Sequence, residues 1–215
     1  MNQLAYDALA YDALASAPLA SDPFTHVVVE GFVRPDRLPA ITAGLPKLER
    51  GGSFPPDSLS MGAAARALFD EIEGPRFRAA VAGKFGLDLA DAPTMVTLRG
   101  YSREKDGRIH CDSTAKRVTV LLYLNPQNDS WSRSAGCLRL LRGPDDIEDF
   151  AREVPPVNGT LLIFPNTAQS WHGHKQFVGP RYTVQLNYMT NDGAARAELR
   201  RHRISAFVKR FTPAA

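Results

Sequence analysis

Three side chains of this 215-residue chain have the types and spacing for metal chemistry: His110 and Asp112 in Arg-Ile-His-Cys-Asp, and His172 in Ser-Trp-His. In an extended strand, residues two apart point to one face, roughly 7 Å apart along the backbone. A strand over 108–113 therefore sets His110 beside Asp112 and turns Cys111 away. A second strand must bring a distal histidine alongside, as a barrel or double sheet does when interior side chains of different strands converge. Both His172 and His174 are available for that third place. Two imidazoles and one carboxylate on one face of an ion, with the other positions open, suit Fe(II) that must accept further ligands.

Arg181 follows His172 by nine residues, inside the alternating run Arg-Tyr-Thr-Val-Gln-Leu-Asn-Tyr. A guanidinium offers two aligned donors, the geometry that grips a carboxylate. Thr183 is its i+2 neighbour, so its hydroxyl shares that face and can share the carboxylate.

With these residues in order, the chain resembles the Fe(II)/2-oxoglutarate dioxygenases, in particular their prolyl-hydroxylase-like branch. The resemblance spans about residues 93 to 190. Tyr101 stands before His110 much as a cosubstrate-contacting tyrosine does in that branch, and Leu-Leu-Tyr123-Leu-Asn is similar to its strand carrying a second one. Gly136-Cys-Leu-Arg-Leu is similar to its Gly-Gly-x-Leu-Arg strand. The resemblance implies that His110, Asp112 and His172 hold Fe(II). It gives Arg181 and Tyr123 the distal carboxylate of 2-oxoglutarate and places Tyr101 near the iron-binding end. It also selects His172 over His174, which is left to line the entrance or to face solvent. O2 is the further cosubstrate implied, with ascorbate as a reductant. The reaction implied is oxidative decarboxylation to succinate and carbon dioxide, coupled to hydroxylation of a substrate C–H bond. Related halogenases carry a small residue where this chain has Asp112, so its presence favours hydroxylation. Two departures stand out: Cys137 in place of a second glycine, and Gln176-Phe177 where many relatives have a proline-containing pair. The second implies a differently shaped loop after His172, and neither is expected to touch a candidate ligand.

Tyr101 and Tyr123 also read as ordinary core aromatics of a β-rich domain. At 44% hydrophobic residues the chain can fill one core. We therefore expect a tail or short helix over 1–22 and a single catalytic domain over 23–215. Its two cysteines, Cys111 and Cys137, read as reduced and packed, which points to a cytoplasmic protein. No run reaches membrane-spanning length, and the N-terminus lacks the basic start of a signal peptide.

The positioning elements follow from periodicity. A tandem Leu-Ala-Tyr-Asp-Ala occupies 4–8 and 9–13, too few copies for a solenoid. We expect a strand over 25–30, a short helix over 35–44, a loop at 51–57 over the site mouth, and amphipathic helices over 61–73 and 75–85. Strands are expected over 94–101, 108–113, 117–124, 136–141, 159–164, 169–173 and 180–190. Helices followed by strands make an α+β fold, here a double-stranded β-helix (jelly-roll, cupin-like) core backed by N-terminal helices and followed by a C-terminal helix.

That C-terminal segment, 194–211, carries a local charge of +5 from Arg196, Arg200, Arg201, Arg203, Lys209 and Arg210 against Glu198, within a chain of +3. A basic, solvated helix face accounts for it, with an acidic partner as the alternative. The nucleic-acid repair branch of these oxygenases has a second arginine six residues past the first, and Asn187 at that position disfavours nucleic acid. The substrate is then a peptide, prolyl or otherwise, or a free small molecule. A non-catalytic jelly-roll module shares the fold but needs neither the triad nor Arg181. Selectivity is expected from the loops at 45–60, 102–109 and 126–135.

Overall fold

The computed structural model of the chain describes residues 7–127, 135–193, 195, 197 and 200. Most of the basic C-terminal segment, with its expected helix, and most of the 126–135 loop lie outside the described residues.

Four helices precede the sheets: α1 (Tyr11–Ser16), α2 (Leu38–Ala43), α3 (Ala63–Glu73) and α4 (Pro75–Phe85), with strand β1 (Val27–Val29) between α1 and α2. The second copy of the tandem repeat thus opens into α1. In α3 the buried residues Ala65, Leu68, Phe69 and Ile72 follow the i, i+3, i+4, i+7 spacing of a helix with one apolar stripe. Gly74 ends α3, and Pro75 starts α4 at the position where a missing N–H costs nothing. Gly86 stops α4 in the left-handed conformation, φ 63°.

The remaining strands are β2 (Thr94–Ser102), β3 (Lys116–Tyr123), β4 (Leu138–Leu141), β5 (Phe150–Val154), β6 (Leu161–Pro165), β7 (His172–His174) and β8 (Gly179–Met189). They form two antiparallel sheets, ordered β1-β6-β3-β8-β2 and β5-β4-β7. Alternation divides the larger sheet. Val96, Leu98, Val118, Val120, Leu122, Val184, Leu186 and Tyr188 join the apolar core shared with α3 and α4. The opposite face turns Leu121, Tyr123, Leu162 and Phe164 onto Leu138, Leu140 and Val154 of the smaller sheet. Two faced antiparallel sheets backed by helices make the expected double-stranded β-helix. Phe69, fully buried under the large sheet, is one of its anchors, and its truncation to alanine costs roughly 3–5 kcal/mol.

Two expectations are corrected. Residues 108–113 form no strand: only His110 pairs, as an isolated bridge to His172. Downstream, the side chain of Asn166 donates to the carbonyls of Asp112 (3.3 Å), Ser113 (2.8 Å) and Lys116 (3.2 Å), taking the place of a neighbouring strand. The other is β5, which sequence reading missed. It lies at the edge of the small sheet and buries only its last residue fully, so Phe-Ala-Arg-Glu-Val carries no clean alternation.

Candidate active site

The two sheets enclose a cavity of about 280 Å³. Its wall is written in the odd-numbered residues of three adjacent strands: Met95, Thr97, Arg99 and Tyr101 on β2, Thr119, Leu121 and Tyr123 on β3, and Arg181, Thr183, Gln185 and Asn187 on β8. Register arranges them in rows. Arg99, Thr183 and Tyr123 lie opposite one another, then Thr97, Gln185 and Leu121, then Met95, Asn187 and Thr119.

The loop between β2 and β3 brings His110 and Asp112, and β7 of the small sheet brings His172. Their ligand atoms all lie within 4.8 Å of one another, the one such group of histidine, cysteine and acidic residues among the described residues. The His110–His172 bridge, with N···O distances of 3.0 and 2.9 Å, holds the imidazole-bearing segments together. In each ring Nδ1 faces a carbonyl two residues back, Arg108 O at 2.8 Å and Ser170 O at 2.9 Å. A carbonyl only accepts, so Nδ1 carries the proton and Nε2 keeps its lone pair. Burial, reinforced by His110, pushes the His172 pKa down to about 4, which keeps that ring neutral.

Asp112 accepts from Lys116 Nζ at 2.6 Å and from Thr119 Oγ1 at 2.6 Å. Burial works to raise its pKa, but the Lys116 charge, with His172 nearby and these two hydrogen bonds, outweighs it and holds the carboxyl below the usual range. The donor set, two imidazoles whose Nδ1 atoms are engaged by carbonyls and one ionised carboxylate, therefore fits a divalent first-row metal, bound through Nε2 and the carboxylate.

Arg181 is fixed from two sides, its Nε donating to Gly136 O (2.9 Å) and its Nη1 to Thr183 Oγ1 (3.3 Å). Gly136, next to the departure at Cys137, thus holds a candidate cosubstrate residue directly. Beside it, 5.3 Å from the guanidinium carbon to the ring centre, Tyr123 is fully buried and its Oη has no hydrogen-bond partner of normal geometry among the described residues. Burial raises the phenol pKa, against the pull of Arg181, so the hydroxyl keeps its proton. A buried donor facing a cavity beside a guanidinium is suited to a carboxylate. Tyr101 and Thr183 also line the cavity.

His174, expected at the entrance or in solvent, is 9% exposed and forms part of the cavity wall. Gly107 (φ 87°) makes room for it, since a Cβ there would lie 2.3 Å from the ring. Sequence reading missed Arg99, Lys116, Thr119 and Gln185 as pocket residues. Alternation along β2, β3 and β8 was the signal for three of them; Lys116, placed by its contact with Asp112, had none. Of the loops expected to set selectivity, Ser53, Ser102 and Gly107 reach the cavity.

This arrangement can be set beside known proteins. Residues 96–189 match the sequence profile of the 2OG-Fe(II) oxygenase superfamily. The β core of this chain belongs to that superfamily. A prolyl-4-hydroxylase from Pseudomonas putida is similar in fold, at 17% identity and a TM-score of 0.55, over 85% of this chain and 97% of that one. A 2OG-Fe(II) oxygenase family oxidoreductase from Burkholderia pseudomallei (15%, TM-score 0.50) covers 80% of this chain and 87% of its own. The collagen prolyl hydroxylase of Paramecium Bursaria Chlorella virus-1 (13%, TM-score 0.50) covers 81% and 95%. No curated protein matches the chain. Among the described residues, no helix is long and apolar enough to cross a membrane.

Proposed function

We propose that this oxygenase hydroxylates a C–H bond of a peptide or small-molecule substrate, with His110, Asp112 and His172 as the Fe(II) ligands and 2-oxoglutarate held by Arg181, Tyr123 and Thr183. The observation that carries the reading is the unpartnered Tyr123 hydroxyl beside Arg181, in the same cavity as the three ligand residues. When bound, Fe(II) and 2-oxoglutarate supply the oxidative chemistry. The chain's own residues do the rest. Lys116 and Thr119 orient Asp112 and keep it ionised, and the carbonyls of Arg108 and Ser170 fix the tautomers of His110 and His172. Gly136 O aims Arg181. Tyr101 lines the same wall and is assigned to the iron-binding end of the cosubstrate. Leu121 and Leu138 add apolar surface to the cavity wall beside these groups.

Peptidyl proline is one substrate in keeping with the named fold relatives, which include two prolyl hydroxylases. A free small molecule is the second reading, favoured by a cavity near the lower end of ligand-pocket sizes, which after cosubstrate uptake admits little more than one side chain or a metabolite. Ascorbate as reductant completes the proposal. Neither cysteine forms a disulfide, which supports a reducing, cytoplasmic setting. The test is succinate formation from 2-oxoglutarate across peptide and metabolite pools, with mass detection of a product gaining one oxygen atom. Fe(II)-dependent turnover with such a product is expected, and a protein that takes up neither Fe(II) nor 2-oxoglutarate contradicts the reading.

A further inference from the structure

One strongly basic group in the cavity has no task in the reading above. Arg99 projects from β2, the edge strand of the large sheet, in the row it shares with Thr183 and Tyr123. Its ion-pair partner is Asp106, with Nη2 3.5 Å from Oδ1, too long for a strong hydrogen bond; the other charged groups near it, Arg181 and Arg103, are cations. Asp106 is already engaged by Arg103, through Nε at 3.1 Å, Nη2 at 3.0 Å and the backbone N–H at 2.9 Å. The Arg99 side chain makes no hydrogen bond among the described residues. The other enclosed arginines differ: Arg139 reaches Glu148, Glu153 and the Ile147 carbonyl, and Arg181 reaches Gly136 and Thr183.

A guanidinium carries five N–H donors, and the Arg99 side chain, 36% exposed, presents them to the open part of the cavity where an incoming anion can displace water. Burial lowers the Arg99 pKa; Asp106 opposes this and Arg181 adds to it. Arginine starts so far above neutrality that the side chain remains a cation. The cosubstrate does not need it. A carboxylate has about four lone-pair sites, and Arg181, the Tyr123 hydroxyl and the Thr183 hydroxyl already converge on one such group. Charge argues the same way: Fe(II) balances the two carboxylates of 2-oxoglutarate, and Asp112 balances one cation. That cation is Lys116, so Arg181 and Arg99 are the remaining cavity charges and the loaded pocket stays cationic. Ser53 and Ser102 line the same cavity.

We infer that Arg99 anchors a carboxylate of the primary substrate, so that the enzyme hydroxylates a carboxylic acid, either a free one or the acidic group of a peptide. This rests on the proposed function, which assigns Arg181 to 2-oxoglutarate. Arg99 is a specificity-determining residue in this account, opposite Thr183 and displaced across β8 from Tyr123.

The test uses the full chain loaded with Zn(II), which binds such donors without redox chemistry, and saturated with 2-oxoglutarate. Propionate and propionamide are titrated at constant ionic strength into wild type, Arg99→Gln and Arg99→Lys, following heat of binding and melting temperature. Propionate should bind wild type, bind Arg99→Gln about tenfold or more weakly, and bind Arg99→Lys with intermediate affinity, because charge is kept while the fork is lost. Propionamide should not bind. Competition by acetyl-Ala-Glu-Ala-amide, but not by its Gln counterpart, assigns the carboxylate to a peptide; absence of peptide competition assigns it to a free acid. Propionate binding that is absent in wild type, or equal in wild type and Arg99→Gln, overturns the inference. So does a loss of about tenfold or more in 2-oxoglutarate affinity in Arg99→Gln, since Arg99 then serves the cosubstrate. Should Arg99→Gln fail to fold, the Arg99→Lys titration decides alone, by weaker propionate binding or by none of the expected change. Failure of the wild-type Zn(II) protein to take up 2-oxoglutarate at all, seen before propionate is added, strikes the underlying reading instead.

Discussion

Thr119 donates its hydroxyl to Oδ2 of Asp112 at 2.6 Å, from a buried position on β3 directly opposite Asn187. The contact spans seven residues of chain and couples the large sheet to the loop that carries His110 and Asp112. Groups behind a metal ligand typically contribute 10–100-fold to affinity. Thr119→Val keeps the shape and removes the donor, so Fe(II) affinity should fall by about that factor while the protein stays folded. An anaerobic Fe(II) titration checks this, and unchanged affinity rejects the role of Thr119.

The ligand assignment separates two histidines that are two residues apart. His172→Ala should abolish tight Fe(II) binding and Asp112→Ala should do the same, whereas His174→Ala should retain the metal. Metal content after dialysis reads the difference, and exchanged phenotypes would transfer the third ligand to His174.

Tyr123 offers a sharper contrast between stability and binding. Its hydroxyl is buried without a hydrogen-bond partner of normal geometry among the described residues, so Tyr123→Phe should leave the ligand-free protein as stable or slightly more so. The same change removes a donor to the distal carboxylate and should weaken 2-oxoglutarate by about 1–2 kcal/mol, roughly tenfold. Arg181→Lys should retain Fe(II) and raise the 2-oxoglutarate requirement by at least about that factor, because the fork is lost. Calorimetric titration of both variants decides; equal cosubstrate affinity in all three proteins refutes the assignment.

Acid should destabilise the metal-free protein earlier than its carboxylates alone dictate. Burial, first of all, pushes His172 and His174 down to about 4 from the ordinary 6.5. Between those values the unfolded chain takes up protons that the folded chain refuses, so stability is full above pH 6.5 and declines as the pH falls toward 4. Each histidine contributes up to roughly 3 kcal/mol to that decline at pH 4. Melting temperatures from pH 8 to 4 should show it, and His174→Gln should flatten the curve. An identical slope in that variant contradicts the burial argument.

Much of this site was legible as residue types at intervals. His110, Asp112, His172 and Arg181 stand out because few other tasks suit two histidines, a carboxylate and an arginine in β-rich text, and the structure brings all four to one cavity. Arg99 and Thr119 were harder to see, although their alternation with Leu98, Val118 and Val120 marks an inward polar face. Their meaning depends on register, which places Arg99 opposite Thr183 and is set by long-range pairing. The Gly136 carbonyl that holds Arg181 has no side-chain signature at all. The strand expected over 108–113 failed for a related reason: the carbonyls there are met by the Asn166 side chain, a contact 50 and more residues away that no local pattern records.

The central claim is that His110, Asp112 and His172 hold the Fe(II) that consumes 2-oxoglutarate held by Arg181. Its most direct test is the rate of succinate formation from 2-oxoglutarate by the full chain with Fe(II) in air, measured for wild type and Asp112→Ala side by side. The account predicts Fe(II)-dependent succinate formation by wild type, and loss of nearly all of it in Asp112→Ala with the fold retained. Equal succinate formation by the two proteins contradicts it.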